Sequence, residues 1–183
     1  AYAQEALAVL PEDEAQGRSI VNFVLGVASF IQADLEGSIR AFRRSGELGM
    51  ASGNIHMAVP ALAAAAGIQF TLGRVHLAEL SYLELVKTTQ ERAGVSSPLL
   101  SRIYSGLSTV YYEWNRLDEA ESYAVESVTA GRRWGNTDVV STSYITTCAV
   151  RRARGEFEGA RDAVEIVLQL MQSVTLSAGA RPL

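Results

Sequence analysis

The sequence predicts an all-α fold, a right-handed superhelix (an α–α solenoid) of antiparallel helix pairs repeating every 40–42 residues. Three observations carry this reading. Breakers are scarce: the prolines are Pro11, Pro60, Pro98 and Pro182, and the good helix formers Ala, Leu, Glu and Arg dominate. Apolar residues recur at helical spacing, as in Ile20, Phe23, Val24, Val27, Phe30 and Ile31, and again in Val110, Tyr111, Trp114, Leu117, Ala120 and Tyr123. Alternating runs joined by two-residue hairpin signals are absent. Third, four turn segments repeat: Ala33-Asp34-Leu35, Gly73-Arg74-Val75, Asn115-Arg116-Leu117 and Gly155-Glu156-Phe157. Their starts (33, 73, 115 and 155) lie 40, 42 and 40 residues apart.

Small residues keep step with these turns. Ser38, Ala78, Ala120 and Ala160 each follow a turn, and Gly26, Ala66, Ser108 and Cys148 each stand twelve positions earlier. Two antiparallel helices touch most closely near their shared turn. Small side chains at facing positions there let the axes approach to about 8 Å instead of 10 Å. Chance register in an alanine-rich chain is the competing explanation, and four coincidences at two linked positions weigh against it.

Taken in order, helices are expected at 2–10, 13–32, 35–49, 53–72, 75–93, 97–114, 117–133, 137–153 and 157–174. Residues 1–11 would hold the second helix of a preceding repeat, because Tyr2 stands one period before Phe42. Repeats then follow at 12–52, 53–94, 95–134 and 135–176, with a small-residue tail at 177–183. All belong to a single repeat domain spanning 1–183. Asn54, Ser97 and Asn136 can satisfy free backbone N–H groups at helix starts. Gly53 and Gly135 fit left-handed helix ends. Pro98 fits a first helical turn, where its missing N–H costs nothing. Pro60, inside a helical stretch, should kink or interrupt it. The mid-repeat start and the linker-like end make an excised piece of a longer protein the expected reading.

These residues carry a family resemblance. The units Gly26…Leu35-x-x-Ser38, Ala66…Val75-x-x-Ala78, Ser108…Leu117-Asp118-Glu119-Ala120 and Cys148…Phe157-x-x-Ala160 resemble tetratricopeptide (TPR) repeats. The family's aromatic positions are partly kept, as Phe42, Tyr82, Tyr104, Tyr111 and Tyr144, while Asn22 and Arg151 depart from them. The period exceeds the usual 34 residues. That longer pair is similar to the superhelical domain of MalT-like, LuxR-family bacterial transcription activators, and the stretch Gly106–Ala120 and Arg133-Trp134-Gly135-Asn136 resemble that group's sequences. The resemblance implies a module that recognises an effector and self-associates, coupled to an ATP-binding switch domain and a helix-turn-helix domain elsewhere in the parent. DNA and ATP would be engaged only through those other domains.

Composition narrows the chemistry. The 183 residues carry a net charge of −4 and Cys148 is the only cysteine, which argues against a free-standing nucleic-acid binder, an internal disulfide and a thiolate zinc site. No apolar run approaches the roughly 18 residues of a membrane span, and the first residues lack the pattern of a signal peptide. A soluble, cytoplasmic protein is expected. The mean hydropathy of +0.10 fits repeat ends laid bare by truncation as well as it fits a ligand groove. His56 and His76 form no metal-binding pair, so no metal is expected. Cys148 reads as a buried, inert thiol at a packing position. No phosphate-binding G-x-x-x-x-G-K-[ST] loop occurs. Asp118, Glu119 and Glu121 suit the first turns of a helix, and Arg151, Arg152 and Arg154 suit a helix end, pairing with Glu156 and Glu158. Neither catalysis nor a cofactor is expected.

Binding is the better-supported class. In TPR-like stacks the first helix of each pair lines the concave face. Counting from the small packing positions, its open side carries Ile20, Phe23, Val27 and Phe30; then Ala63, Gly67 and Phe70; then Arg102, Ser105, Thr109, Tyr112 and Glu113; then Thr142, Ile145, Ala149 and Arg152. Within this set Phe23, Phe30, Phe70, Arg102, Thr109, Tyr112, Glu113 and Arg152 are the candidate ligand residues. Aromatic faces cover apolar C–H surface while Arg and Glu hold hydroxyls or carboxylates. A small-molecule effector, such as a saccharide, or a protein or peptide partner would fit. The plainer alternative is that this apolar surface packs against neighbouring helices. A general TPR interaction scaffold, unconnected to transcription, is the competing function.

Overall fold

The computed structural model describes residues 2–179, with side chains described as far as Gln172. Among the described residues there are nine helices and no strand. They are α1 (Tyr2–Val9), α2 (Ala15–Ile31), α3 (Leu35–Ala51), α4 (Ile55–Thr71), α5 (Val75–Ala93), α6 (Leu100–Glu113), α7 (Leu117–Trp134), α8 (Thr137–Ala153) and α9 (Phe157–Gly179). The chain parts into two compact units, one ending at Leu99 and the other beginning at Leu100. In the first, α1 to α5 pack serially, each helix on the next, and α2 also reaches α4. In the second, α6 to α9 do the same, and α6 reaches α8. Contacts to the next helix and the next but one are the signature of stacked helix pairs. The fold class is the all-α helical-repeat solenoid that the period implies.

The turns are built alike. Ala33, Gly73, Asn115 and Gly155 all have positive φ, between 57° and 80°. After each, the next backbone N–H bonds five residues back: Asp34 to Ser29, Arg74 to Gln69, Arg116 to Tyr111 and Glu156 to Arg151, all at 2.9 Å. Gly53 and Gly135 close α3 and α7 in the same way. This left-handed cap satisfies carbonyls that the helix end would otherwise leave free. The following helix is capped in turn, since the Asp34, Asn54 and Asn136 side chains accept from the N–H groups of Gly37, Met57 and Val139.

Small residues set the helix spacing. Gly26, Ser38, Ala66, Ala78, Ser108, Ala120 and Ala160 are all buried. The Ser38 hydroxyl donates to the Gly26 carbonyl at 2.7 Å, and a Cβ on Gly26 would meet the Phe42 ring at 2.7 Å. Cys148 differs from expectation: it is only half-buried. Further close approaches lie at the next interface along. A Cβ on Gly46 would strike Leu62, and one on Gly131 would come within 2.9 Å of Val140. The first unit's core gathers Ile39, Phe42, Ala61, Ala65 and Ile68. In the second unit Leu100, Ile103, Leu107 and Val110 give α6 a fully buried face.

Three local expectations are corrected. Pro60 does not interrupt α4, which runs unbroken from Ile55 to Thr71. The ring removes only the bond to the carbonyl of His56, an exposed residue of the first turn. Helix α6 begins at Leu100, so Pro98 lies in the turn ahead of it, where the Ser97 hydroxyl accepts from the Leu99 N–H. Helix α9 continues past 174 to Gly179. The expected tail at 177–183 is therefore helical at its start, and its last four positions lie outside the described residues.

Candidate functional site

In the first unit the candidate surface is one side of α2. Ile20, Val24, Val27 and Ile31 step by four, three and four residues and are all exposed, which puts them in one stripe along the helix. Phe30, in the last turn, is 51% exposed. Phe23 is different: its ring meets Phe42 edge-on at 5.2 Å and packs against the core cluster. It anchors the helix more than it presents a ring. Phe70, one period after Phe30, is half-buried near the end of α4, and α2 and α4 touch. The buried side of α2 is polar, with Ser19 and Asn22 among its covered residues. The apolar stripe therefore faces away from the helices that α2 packs on.

In the second unit α6 presents Arg102 and Glu113 exposed, with Thr109 and Tyr112 half-buried between them. The Thr109 hydroxyl donates to the Ser105 carbonyl at 3.1 Å, so its oxygen is still free to accept. Arg152 is exposed on α8, which α6 touches. This surface can hold hydroxyls and carboxylates, and on α8 it also exposes the apolar side chain of Ile145.

The stretch that carries the family resemblance turns out to be internal packing. Tyr111 stacks on Tyr123 with ring centres 5.4 Å apart and planes 5° from parallel, and Trp114 meets Tyr111 edge-on. The Arg116 guanidinium lies 4.4 Å from the Tyr111 ring centre and donates twice to Glu119, at 3.0 and 2.7 Å. That bond holds the Glu119 carboxyl below the usual carboxylate range. These groups fix the α6–α7 turn. Arginine also replaces an aromatic at Arg151, whose guanidinium donates to the Gly159 carbonyl at 3.2 Å. A Cβ at Gly159 would meet that guanidinium at 2.8 Å. Arg154 reaches back to α7, binding Glu121 and Asp118, rather than Glu156 or Glu158. The Glu121 bond raises its already high pKa further.

Two features escape a reading of the sequence. One is a pair of buried serine contacts. The Ser19 and Ser45 hydroxyls each donate to the other's carbonyl at 2.8 Å, and two periods on the Ser127 hydroxyl donates to the Ser101 carbonyl at 2.7 Å. The 26-residue spacing within both pairs was the available signal. The other is a concavity of about 350 Å³ between α3 and α5, floored by α4. Its signal was the Ala65-Ala66 pair, which leaves room above the floor. Among the described residues no cluster of potential metal ligands occurs, and no helix is long and apolar enough to cross a membrane.

Repeated left-handed turns, small residues at the helix contacts and a 40–42-residue period describe a TPR-like array longer in each pair than the usual one. The family model for the MalT-like TPR region matches residues 1–180. The chain belongs to this family. Among solved structures, the MalT-like TPR region is similar to BtubC (BKLC) from P. vanneervenii, with a TM-score of 0.74 and 19% identity over 99% of this chain and 74% of that one. It is also similar to the apo form of RapI, with a TM-score of 0.76 and 10% identity, covering 95% of this chain but only 62% of RapI. At these identities the likeness is one of fold. No curated protein matches the sequence significantly. The MalT-like TPR region is thus a helical-repeat module of the kind that builds protein-interaction surfaces.

Proposed function

We propose that this MalT-like TPR region is the non-catalytic, effector-sensing or partner-binding module of a cytoplasmic LuxR-family transcription regulator. A small molecule, such as a saccharide, or a protein segment would bind on the first helices of the pairs, and the module would use no cofactor of its own. The stripe Ile20, Val24, Val27 and Ile31 carries this reading, since it leaves apolar area exposed on the side of α2 turned away from its packing partners. Exposed apolar surface at regular spacing costs solubility and is kept where something covers it. The polar surface of Arg102, Thr109, Tyr112, Glu113 and Arg152 would supply hydrogen bonds to the same class of ligand. An effector would act by binding one curvature of the stack more tightly than another, and could shift the equilibrium only by that difference. DNA and ATP would be handled by other domains of the parent, and self-association is compatible with the same stripe.

Calorimetric titration of the chain with a panel of oligosaccharides and peptides tests the proposal. Binding is expected, and Val24→Asp should abolish it while leaving the melting temperature unchanged, because Val24 is half exposed. Silence across the panel, together with a parent reading frame lacking a phosphate-binding loop and a helix-turn-helix, would overturn the regulator reading in favour of a general interaction scaffold.

A further inference from the structure

The cleft between α3 and α5 is built by three helices, each giving one face. Helix α3 contributes Arg43, Glu47 and Met50 at steps of four and three. Helix α4 contributes the floor, where Leu62, Ala65 and Ala66 make an apolar base with room above it, and α5 closes the far side with Leu85. About 350 Å³ is the low end of the range for small-molecule sites.

Its polar side chains are an amide, two hydroxyls, a guanidinium and two carboxylates. Gln69 lines the floor yet is only 4% exposed. The Ser81 hydroxyl donates to its amide oxygen at 3.3 Å, which leaves the amide N–H groups for the cleft. Turning the amide over would leave its oxygen there instead. Either way one end of the amide is left to hydrogen-bond whatever enters. At the mouth, Arg43 on α3 and Glu84 on α5 stand on opposite walls, are exposed, and enter no ion pair among the described residues. Glu47, beside Arg43, is already paired with Arg44 at 3.4 Å.

We propose that this cleft binds an apolar α-amino acid as its zwitterion. The carboxylate meets Arg43, the ammonium meets Glu84, the Gln69 amide bonds the head group, and the side chain lies on Leu62, Ala65, Ala66 and Leu85. A ligand with a single charge leaves one wall unmatched. A purely apolar one leaves both walls and the amide unanswered. The α2 stripe is not involved, so the site stands independently of the function proposed above.

Amide-resolved NMR of the isotopically labelled chain tests it, with L-leucine and the doubly blocked N-acetyl-L-leucinamide as probes at millimolar concentration. L-leucine should shift amides of α3, α4 and α5. Arg43→Gln and Glu84→Gln should each weaken it about tenfold or more, a loss of about 1.4 kcal/mol, with the far-UV CD unchanged. The blocked compound should bind correspondingly worse, which keeps the test decisive even if a variant folds poorly. Val24→Asp should bind L-leucine as the parent does, separating this site from the α2 surface. Absence of shifts in these helices, equal binding of the blocked compound, or indifference to both charge variants would overturn the proposal.

Discussion

At the scale of single residues, the turns offer the cleanest experiment. Four equivalent positions are left-handed, but only two of them are glycine. Ala33, at φ 61°, carries a Cβ in a conformation that disfavours one. Ala33→Gly should therefore raise stability by about 0.5–1 kcal/mol despite glycine's greater freedom in the unfolded chain, read as a higher denaturant midpoint. Asn115→Gly should gain less, because asparagine tolerates this region. The small packing positions behave in the opposite way. Ala120 is fully buried, and Ala120→Trp should cost about 3 kcal/mol by overpacking the helix contact. An unchanged melting temperature would contradict the assigned register.

The two serine contacts make a matched pair of tests at the same scale. Ser45→Ala removes a buried hydroxyl that donates to Ser19 and should cost about 1 kcal/mol in chemical denaturation. Ser101→Ala should be neutral or stabilising, because the Ser101 hydroxyl is buried without a partner. Its carbonyl, which receives Ser127, survives the change.

Elements are joined by devices that the helical period does not reveal. Arg18 of α2 donates to the carbonyls of Leu7 and Leu10, tying down the end of α1 where the helix dipole favours a cation. Arg154, the residue capping the end of α8, bridges Asp118 and Glu121 on α7. Arg154→Gln should lower the melting temperature of the second unit, and the deficit should shrink in concentrated salt, which screens ion pairs. Equal deficits at low and high salt would mean that the arginine acts through its aliphatic stem.

For the molecule as a whole, acid should weaken the fold in a specific window. The Arg74 guanidinium bonded to Glu36, and Arg116 bonded to Glu119, hold both carboxyls below their ordinary range. A lowered folded-state pKa means that the unfolded chain takes up protons first. The stabilisation is therefore complete at neutral pH and lost as pH falls through the folded-state values. Melting temperature should drop below the ordinary carboxylate range, and Glu36→Gln with Glu119→Gln should flatten that drop. Both pairs are exposed, so concentrated salt should flatten it as well.

Period, helix identity and the small-residue contacts were legible in the sequence because they are local or strictly repeating. A left-handed turn favours Gly or Asn at one position, and a close helix contact favours Gly, Ala or Ser at two, so the residues themselves report much of the geometry. Only the tertiary structure decided which side of each helix stays open. Phe23 and Phe30 share a helix and a chemistry, yet one packs on Phe42 and the other stands half in water. The cleft over Ala65 and Ala66 likewise exists because α3 and α5 stand apart above α4. Such a void belongs to the spacing of three successive helices relative to one another, and side-chain period along any one of them carries no record of it.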